Sequence, residues 1–214
     1  MYQNDLICPL CGDNHISDYH RDSKRAYYQC ALCQLVFVPE QYHLSAALEK
    51  AVYDQHENHP DDPGYRQFLS RLAMPLLERL PNSAKGLDFG CGPGPTLSLI
   101  LEEAGHQVAL FDLFYANNPA LLERSYDFIT ATEVVEHLRR PGVELNRLWQ
   151  LIKPGGLLGI MTKQVIDKAS FARWHYKNDP THISFFSSAT FSYLIEVWGA
   201  SPVYMGDDVI ILRK

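Results

Sequence analysis

An α/β fold, a Rossmann-like and doubly wound sheet of mostly parallel strands with a small cysteine-bearing ribbon before it, is predicted by three features of this 214-residue sequence. The first is Gly86-Leu87-Asp88-Phe89-Gly90-Cys91-Gly92-Pro93-Gly94-Pro95, a short apolar strand that runs into a glycine-rich turn and then a helix. The second is the alternation of strand and helix patterns from there to residue 162. The third is a pair of Cys-x2-Cys knuckles, Cys8/Cys11 and Cys30/Cys33, with 18 residues between them. A composition of 46% apolar and 21% charged residues gives room for one main core and a small appendage.

The knuckles define the first segment, residues 1–40. Thiolates at this spacing converge on one ion because each pair sits on a tight turn, helped here by Pro9 and Gly12, so Cys8, Cys11, Cys30 and Cys33 are expected to hold a structural zinc in a ribbon. Four unrelated thiols or two redox pairs are the alternative. A dithiol oxidoreductase, however, opens a helix with its Cys-x-x-Cys, whereas Val36-Phe37-Val38 reads as a ribbon strand. Cys91 is the odd cysteine, a small side chain in the crowded glycine turn. Residues 1–50 carry four Lys/Arg against six Asp/Glu, which disfavours nucleic acid as a partner because phosphate binding rests on a basic surplus. Arg21, Lys24 and Arg25, beside Tyr27 and Tyr28, are read as a solvated loop in preference to a phosphate contact. Residues 1–5 show no basic n-region or apolar run, and no later stretch approaches membrane-spanning length. The expectation is a cytoplasmic, reducing location with no membrane partner, which also suits thiolates on a metal.

Residues 41–65 form a connector that is too rich in aromatics and histidines for a plain linker, with Tyr42, Tyr53, Tyr65, His43, His56 and His59. A lid over a bound ligand is one role for it; its histidines match no metal-ligand spacing and are read as surface residues. The main domain then occupies residues 66–214. Apolar side chains at 68, 69, 72, 73, 76, 77 and 80 predict an amphipathic helix over 66–80, with Pro75 kinking it or marking its boundary.

The glycine-rich turn calls for positive φ and for close approach of backbone N–H groups to a ligand. Its spacing, Gly90-x-Gly92-x-Gly94 with prolines at 93 and 95, lacks the third glycine of a dinucleotide fingerprint and the lysine of a P-loop, so NAD-dependent oxidoreduction is disfavoured. A helix follows over 95–104 and a strand over 107–111 that ends on Asp112. A strand at 126–130 leads into Ala131-Thr132-Glu133-Val134-Val135-Glu136-His137-Leu138. Leu151-Ile152-Lys153-Pro154-Gly155-Gly156 then turns into a strand at 157–162. This ordered set of motifs resembles the class I S-adenosylmethionine-dependent methyltransferases. The resemblance implies S-adenosylmethionine as cofactor, with Asp88, Gly90, Cys91, Gly92 and Gly94 shaping the methionine pocket. It also implies that Asp112 accepts hydrogen bonds from the two ribose hydroxyls and that Thr132 and Glu133 line the site.

The sequence departs from that family after Asp112, where only 13 residues precede Tyr126 in place of a helix and third strand. A trimmed sheet edge is expected, with Asn117-Asn118-Pro119 as a turn and Leu113 and Phe114 as the apolar wall for the adenine. Methyl transfer is an in-line displacement that depends on positioning, and it needs a base only for a hydroxyl or protonated amine acceptor. The candidate bases are His137 and His182. His182 closes the cluster Trp174-His175-Tyr176-Lys177-Asn178-Asp179-Pro180-Thr181-His182, in a loop beyond the carboxyl end of a strand. The resemblance extends to bacterial methyltransferases in which a histidine precedes an aromatic-serine stretch, here Ser184-Phe185-Phe186-Ser187. Structural hydrogen bonding is the alternative for His182 and the favoured reading for His137. A last helix capped by Ser187 or Ser188 and stopped by Gly199, then a hairpin of 203–205 and 209–212, close the fold. The expected function is methyl transfer to a small-molecule or protein acceptor. The alternatives are an RNA methyltransferase that grips RNA with the ribbon, and a catalytically silent cofactor-binding scaffold.

Overall fold

The computed structural model describes residues 6–55 and 59–214. The ribbon contributes β1 (Ile16–Arg21), β2 (Ala26–Cys30) and β3 (Val36–Phe37), joined antiparallel in that order. Next come α1 (Ala46–Tyr53) and α2 (Pro63–Leu77), which lead into the alternating part of the chain: β4 (Lys85–Phe89), α3 (Thr96–Glu103), β5 (Gln107–Phe111), β6 (Tyr126–Thr132), α4 (Pro141–Leu151) and β7 (Ile152–Met161). The chain finishes with α5 (Lys168–Arg173), β8 (Ser184–Phe185), α6 (Ser188–Trp198), β9 (Ser201–Met205) and β10 (Val209–Arg213). The main sheet runs β5-β4-β6-β7-β10-β9, parallel from β5 to β7 and closed by the antiparallel β10/β9 hairpin.

Strand alternation sends Phe128, Leu157, Met161 and Ile211 to one face, where Leu69, Leu72 and Leu76 of α2 and Leu97 and Leu101 of α3 cover them. The other face carries Leu87, Ile129, Leu158 and Ile160 against Leu145, Leu148 and Trp149 of α4 and Phe191 and Leu194 of α6. The same cluster takes in Cys8, Leu10, Cys33 and Leu35, so the knuckles are seated on this helical layer. Contact there is close: a Cβ at Gly142, in the first turn of α4, would lie 2.0 Å from the Leu10 carbonyl oxygen, and the Gly142 N–H donates to Pro9 O at 3.2 Å.

β8 pairs antiparallel with β3, so a strand from the far end of the chain completes the ribbon sheet. The trimmed edge is present as well: β5 is the outermost strand, and residues 113–125 contain only a 3-10 turn at Pro119–Glu123. α2 begins three residues earlier than its periodicity indicates because Asp62 caps it, its Oδ1 accepting from Gly64 N at 2.7 Å and Tyr65 N at 3.3 Å, with Pro63 in the first turn. It stops at Leu77, with Pro75 inside its last turn, before Pro81 removes helical freedom from Leu80. α6 opens with a reciprocal Ser187/Thr190 capping box and ends at Gly199. Among the described residues no helix is long and apolar enough to cross a membrane.

Candidate active site

A cavity of about 860 Å³ opens at the carboxyl ends of β4, β5 and β6, where the chain from β4 turns one way to β5 and β6 lies on the other side. The glycine turn forms its floor. Gly90 has φ 76°, and a Cβ there would meet Val134 Cγ2 at 2.4 Å; Gly92 has φ 64° with open space beside it. Phe111 O accepts from Gly90 N at 2.7 Å and Cys91 N at 3.2 Å, which ties the turn to β5. Asp112 adds a second tie: its Oδ2 accepts from Gly92 N at 3.0 Å and its Oδ1 from Phe114 N at 2.8 Å and Tyr115 N at 3.1 Å. A carboxylate has about four acceptor positions, so a ribose would meet a group already fixed by three amides. Asp88 is buried beneath the turn and takes a hydrogen bond from Thr130 Oγ1 at 2.8 Å. Burial pushes its carboxyl up to about 6; the Thr130 bond opposes this and the nearby Asp112 adds to it.

The other half of the cavity is built from the end of β6 and the loop that reaches β8. Glu133 sits at φ 51° with its N–H bonded to Met161 O at 2.8 Å, a conformation that projects its side chain into the site. Tyr176 OH stands between two carboxyl groups, 3.3 Å from Glu133 Oε2 and hydrogen-bonded to Glu136 Oε1. Thr162 Oγ1 donates to Glu136 Oε2 at 3.0 Å. Burial pushes Glu136 up to about 8, with the Glu133 charge adding, and burial pushes Glu133 up to about 7. Thr132 Oγ1 and Glu133 Oε1 are buried polar atoms without a hydrogen-bond partner among the described residues, and both residues line the cavity. Orphaned acceptors beside a glycine cradle fit a site that receives a polar cofactor.

His137 and His182 approach each other with ring centroids 4.7 Å apart. His137 Nδ1 is 3.2 Å from Thr181 O, and His182 Nδ1 is 2.7 Å from Tyr176 O. A carbonyl only accepts, so each Nδ1 carries hydrogen, and in the neutral ring Nε2 holds the lone pair. The loop that carries His182 is held by the ribbon. The buried Arg25 donates to Asp179 O at 2.7 Å, Pro180 O at 3.2 Å and Lys177 O, and from Nε to Tyr27 OH at 2.9 Å. Lys177 pairs with Asp22 at 2.9 Å. Although burial alone would raise Asp22, bonds from Lys177 and from the Lys24 and Arg25 amides hold it far below the usual carboxylate range. Arg25 is therefore neither solvated loop nor phosphate contact; its partners lie some 150 residues away in sequence, beyond any local pattern.

α1 crosses the cavity mouth. Tyr53 meets Phe114 at 5.9 Å and His137 at 5.2 Å, and it donates to Glu49 Oε1 at 2.9 Å. Tyr115 OH donates to Asp54 at 2.7 Å, and Arg139 reaches Glu49 at 3.0 Å, so the connector bridges both rims. His43 Nε2 bonds to Val38 O at 2.8 Å and His59 Nδ1 accepts from Asp61 N at 3.2 Å; His56 lies outside the described residues.

In the ribbon the four sulfurs lie within 4.8 Å of one another, with Cys8–Cys33 at 3.4 Å and Cys11–Cys30 at 3.5 Å. The Leu10 and Cys11 amides bond to the Cys8 sulfur, and those of Leu32 and Cys33 to Cys30. Tetrahedral zinc at about 2.3 Å from each thiolate separates sulfurs by about 3.8 Å, so this cluster fits the ion.

The structure brings Asp88, Gly90, Cys91, Gly92, Gly94, Asp112, Leu113, Phe114, Thr132, Glu133, His137 and His182 to the lining of one cavity. The sequence assigns no role to Glu136 or Tyr176 and indicates a solvated loop for Arg25. The spacing Glu133-x-x-Glu136 was the available signal for the first; the other two depend on contacts across the chain.

Residues 60–201 match the methyltransferase domain family. No curated protein matches the chain. Among solved structures it is similar to 1,6-didemethyltoxoflavin-N1-methyltransferase of Burkholderia thailandensis, bound to 1,6-didemethyltoxoflavin and S-adenosylhomocysteine. That likeness has a TM-score of 0.58 at 17% identity and covers 92% of this chain and 98% of that one. A SAM-dependent methyltransferase from Archaeoglobus fulgidus gives 0.52 at 16% identity, covering 70% and 94%. An O-methyltransferase family protein from Burkholderia thailandensis gives 0.50 at 16%, covering 78% and 62%. At these identities the likeness is one of fold. With the family match extending over most of the chain and onto the glycine turn, β6 and the His182 loop, the chain belongs to the methyltransferase domain family and is an S-adenosylmethionine-dependent class I methyltransferase.

Proposed function

We propose that the protein methylates an oxygen or nitrogen nucleophile of a small molecule bound between Tyr53, Glu133, His137 and His182. The observation that carries this reading is the pair of imidazoles on the cavity lining, ring centroids 4.7 Å apart, each held at Nδ1 by a backbone carbonyl and with His182 Nε2 3.9 Å from Asp179 Oδ2, which sets basic nitrogens beside the acceptor. S-adenosylmethionine supplies a methyl group that its sulfonium centre already makes electrophilic. The chain's task is to hold donor and acceptor in line and to keep water out. Asp112 and the glycine turn hold the nucleoside side, Leu113 and Phe114 wall the adenine, and Asp88, Thr132 and Glu133 contact the methionine side. α1, with Tyr53, acts as the lid. The cavity volume, near the upper end of the roughly 300–1,000 Å³ common for ligand sites, suits cofactor and small acceptor together. The Burkholderia thailandensis neighbour, similar over nearly its whole length, binds 1,6-didemethyltoxoflavin, and this supports a small-molecule acceptor. Cys8, Cys11, Cys30 and Cys33 bind zinc as a structural ion in a reducing, cytoplasmic compartment, and the ribbon so stiffened fixes the His182 loop through Arg25.

Incubation with S-adenosylmethionine labelled in the methyl group and a fractionated cell extract tests this. Label is expected in the low-mass fraction, and His182→Asn is expected to cut its transfer by roughly 10²–10⁴-fold with S-adenosylhomocysteine affinity retained. Label confined to protein or RNA contradicts the small-molecule reading.

A further inference from the structure

We propose that Glu136, His137 and His182 form a binding site for a divalent first-row transition-metal cation at the cavity wall, with His137, His182 and Glu133 on the lining and the wholly buried Glu136 outside it, and that the acceptor is a hydroxyl-bearing molecule that ligates this cation. The acceptor part rests on the methyl-transfer reading; the cation part rests on side-chain geometry alone. One ligand atom from each of Glu136, His137 and His182 lies within 4.8 Å of the other two.

Each ligand is oriented by a partner of the kind that orients metal ligands. His137 Nδ1 is tied to Thr181 O and His182 Nδ1 to Tyr176 O, which fixes both rings, and the Asp179 carboxylate 3.9 Å from His182 Nε2 adds negative charge beside the group. Glu136 is wholly buried and receives one hydroxyl on each oxygen, from Tyr176 and from Thr162, which keeps a lone pair on each for a further partner. Glu133 Oε1, buried and without a hydrogen-bond partner among the described residues, brings a second carboxyl group to the cavity lining. Two carboxyl groups and two imidazoles, Glu136 and His182 buried and Glu133 and His137 half-buried, all attract positive charge, and a cation would satisfy them together. Two imidazoles with carboxylate oxygens select manganese, cobalt, iron or zinc over calcium or magnesium, which prefer all-oxygen shells. Three protein ligands would leave positions open for an acceptor hydroxyl; the ion would loosen its proton, Glu133 would take it, and the oxygen would attack the methyl carbon as the carbon–sulfur bond breaks and S-adenosylhomocysteine leaves.

The site is distinct from the ribbon, whose four thiolates take zinc and do not compete for manganese. The test is a titration of the full-length, zinc-loaded protein with manganese(II), followed by the electron paramagnetic resonance of the free ion, and by pulsed measurement of nitrogen couplings on the bound one. The expected result is one manganese per chain with imidazole nitrogen couplings. His137→Asn and His182→Asn should each weaken binding by about 10–100-fold and remove one nitrogen coupling. Glu136→Gln is expected to do the same to affinity without changing the nitrogen couplings; should that buried substitution unfold the protein, the two histidine variants carry the test. S-adenosylhomocysteine affinity, measured in the same samples, is expected to be unchanged. Absence of manganese and cobalt binding overturns the site, as does equal binding in the wild type and both histidine variants. Manganese bound as expected in a protein that fails to bind S-adenosylhomocysteine leaves the cation site standing and overturns its assignment to methyl transfer.

Discussion

Replacing Arg25 with alanine separates the ribbon's role in the acceptor half from the cofactor half. The guanidinium donates to three carbonyls of one loop, Lys177 O, Asp179 O and Pro180 O, and these position the segment that ends in His182. Asp22 and Lys177 remain paired in the variant, so no lone buried charge is created and the loss is that of the hydrogen bonds. At about 1.5 kcal/mol for each bond from a charged donor, three bonds give roughly 4–5 kcal/mol, and water entering the vacated space reduces this to about 3 kcal/mol. That lowers the free energy of local opening by about two decades in equilibrium constant. The assay is amide hydrogen exchange. The N–H groups of His182, bonded to Asp179 O, and Ile183, bonded to Glu136 O, are expected to exchange about 100-fold faster, while β4 and β5 are unchanged. S-adenosylhomocysteine affinity is expected to stay within about 0.5 kcal/mol, since no residue of the glycine turn touches Arg25. Arg25→Lys does not rescue, because an ammonium on a flexible stem cannot span three carbonyls as a planar fork does. Unchanged exchange over 176–183, or a collapse of cofactor binding to the same extent, refutes the positioning role.

Three further outcomes are expected. Asp112→Ala weakens S-adenosylhomocysteine binding by about 1.5–3 kcal/mol in calorimetry, the range for a charged hydrogen-bond partner, and unchanged affinity contradicts its place at the nucleoside side. Cys30→Ser releases zinc, detected by a chromogenic chelator, and loosens the 176–183 loop along with the ribbon because β3 pairs with β8; unaltered zinc content contradicts the four-thiolate site. Burial raises Asp88 to about 6 in the folded chain, so the stability it contributes is complete below about pH 4 and lost as pH rises through 6, a change of about 3 kcal/mol. In Asp88→Asn that pH dependence is absent, and denaturant unfolding should show the variant gaining on the wild type between pH 4 and 6; a constant difference contradicts it.

Local patterns carried the parts of the molecule that local chemistry dictates. The positive φ of Gly90 and Gly92, the knuckle spacing, the strand ending on Asp112 and the serine cap at 187 each follow from neighbouring residues, and each stands where its letters indicate. The short run after Asp112 also predicted the missing edge strand, since 13 residues cannot hold a helix and a strand. What stayed hidden depends on residues distant in sequence. Two residues, Ser184 and Phe185, are too short a strand to show a pattern, yet they join the ribbon to the main domain's loop. Arg25 reads as one more basic residue in a polar hairpin until its partners at 177–180 are in place. Glu136 looks like a surface carboxylate of a short helix, and only the fold buries it between Tyr176 and Thr162.

Calorimetric titration of the intact, zinc-loaded protein with S-adenosylmethionine and S-adenosylhomocysteine bears most directly on the central claim, that the cavity above β4, β5 and β6 is a working methyl-donor site. One molecule bound per chain with micromolar affinity, weakened by about 1.5–3 kcal/mol in Asp112→Ala and kept in Arg25→Ala, is the expected result. Failure of both compounds to bind would contradict it and leave the glycine turn without its ligand.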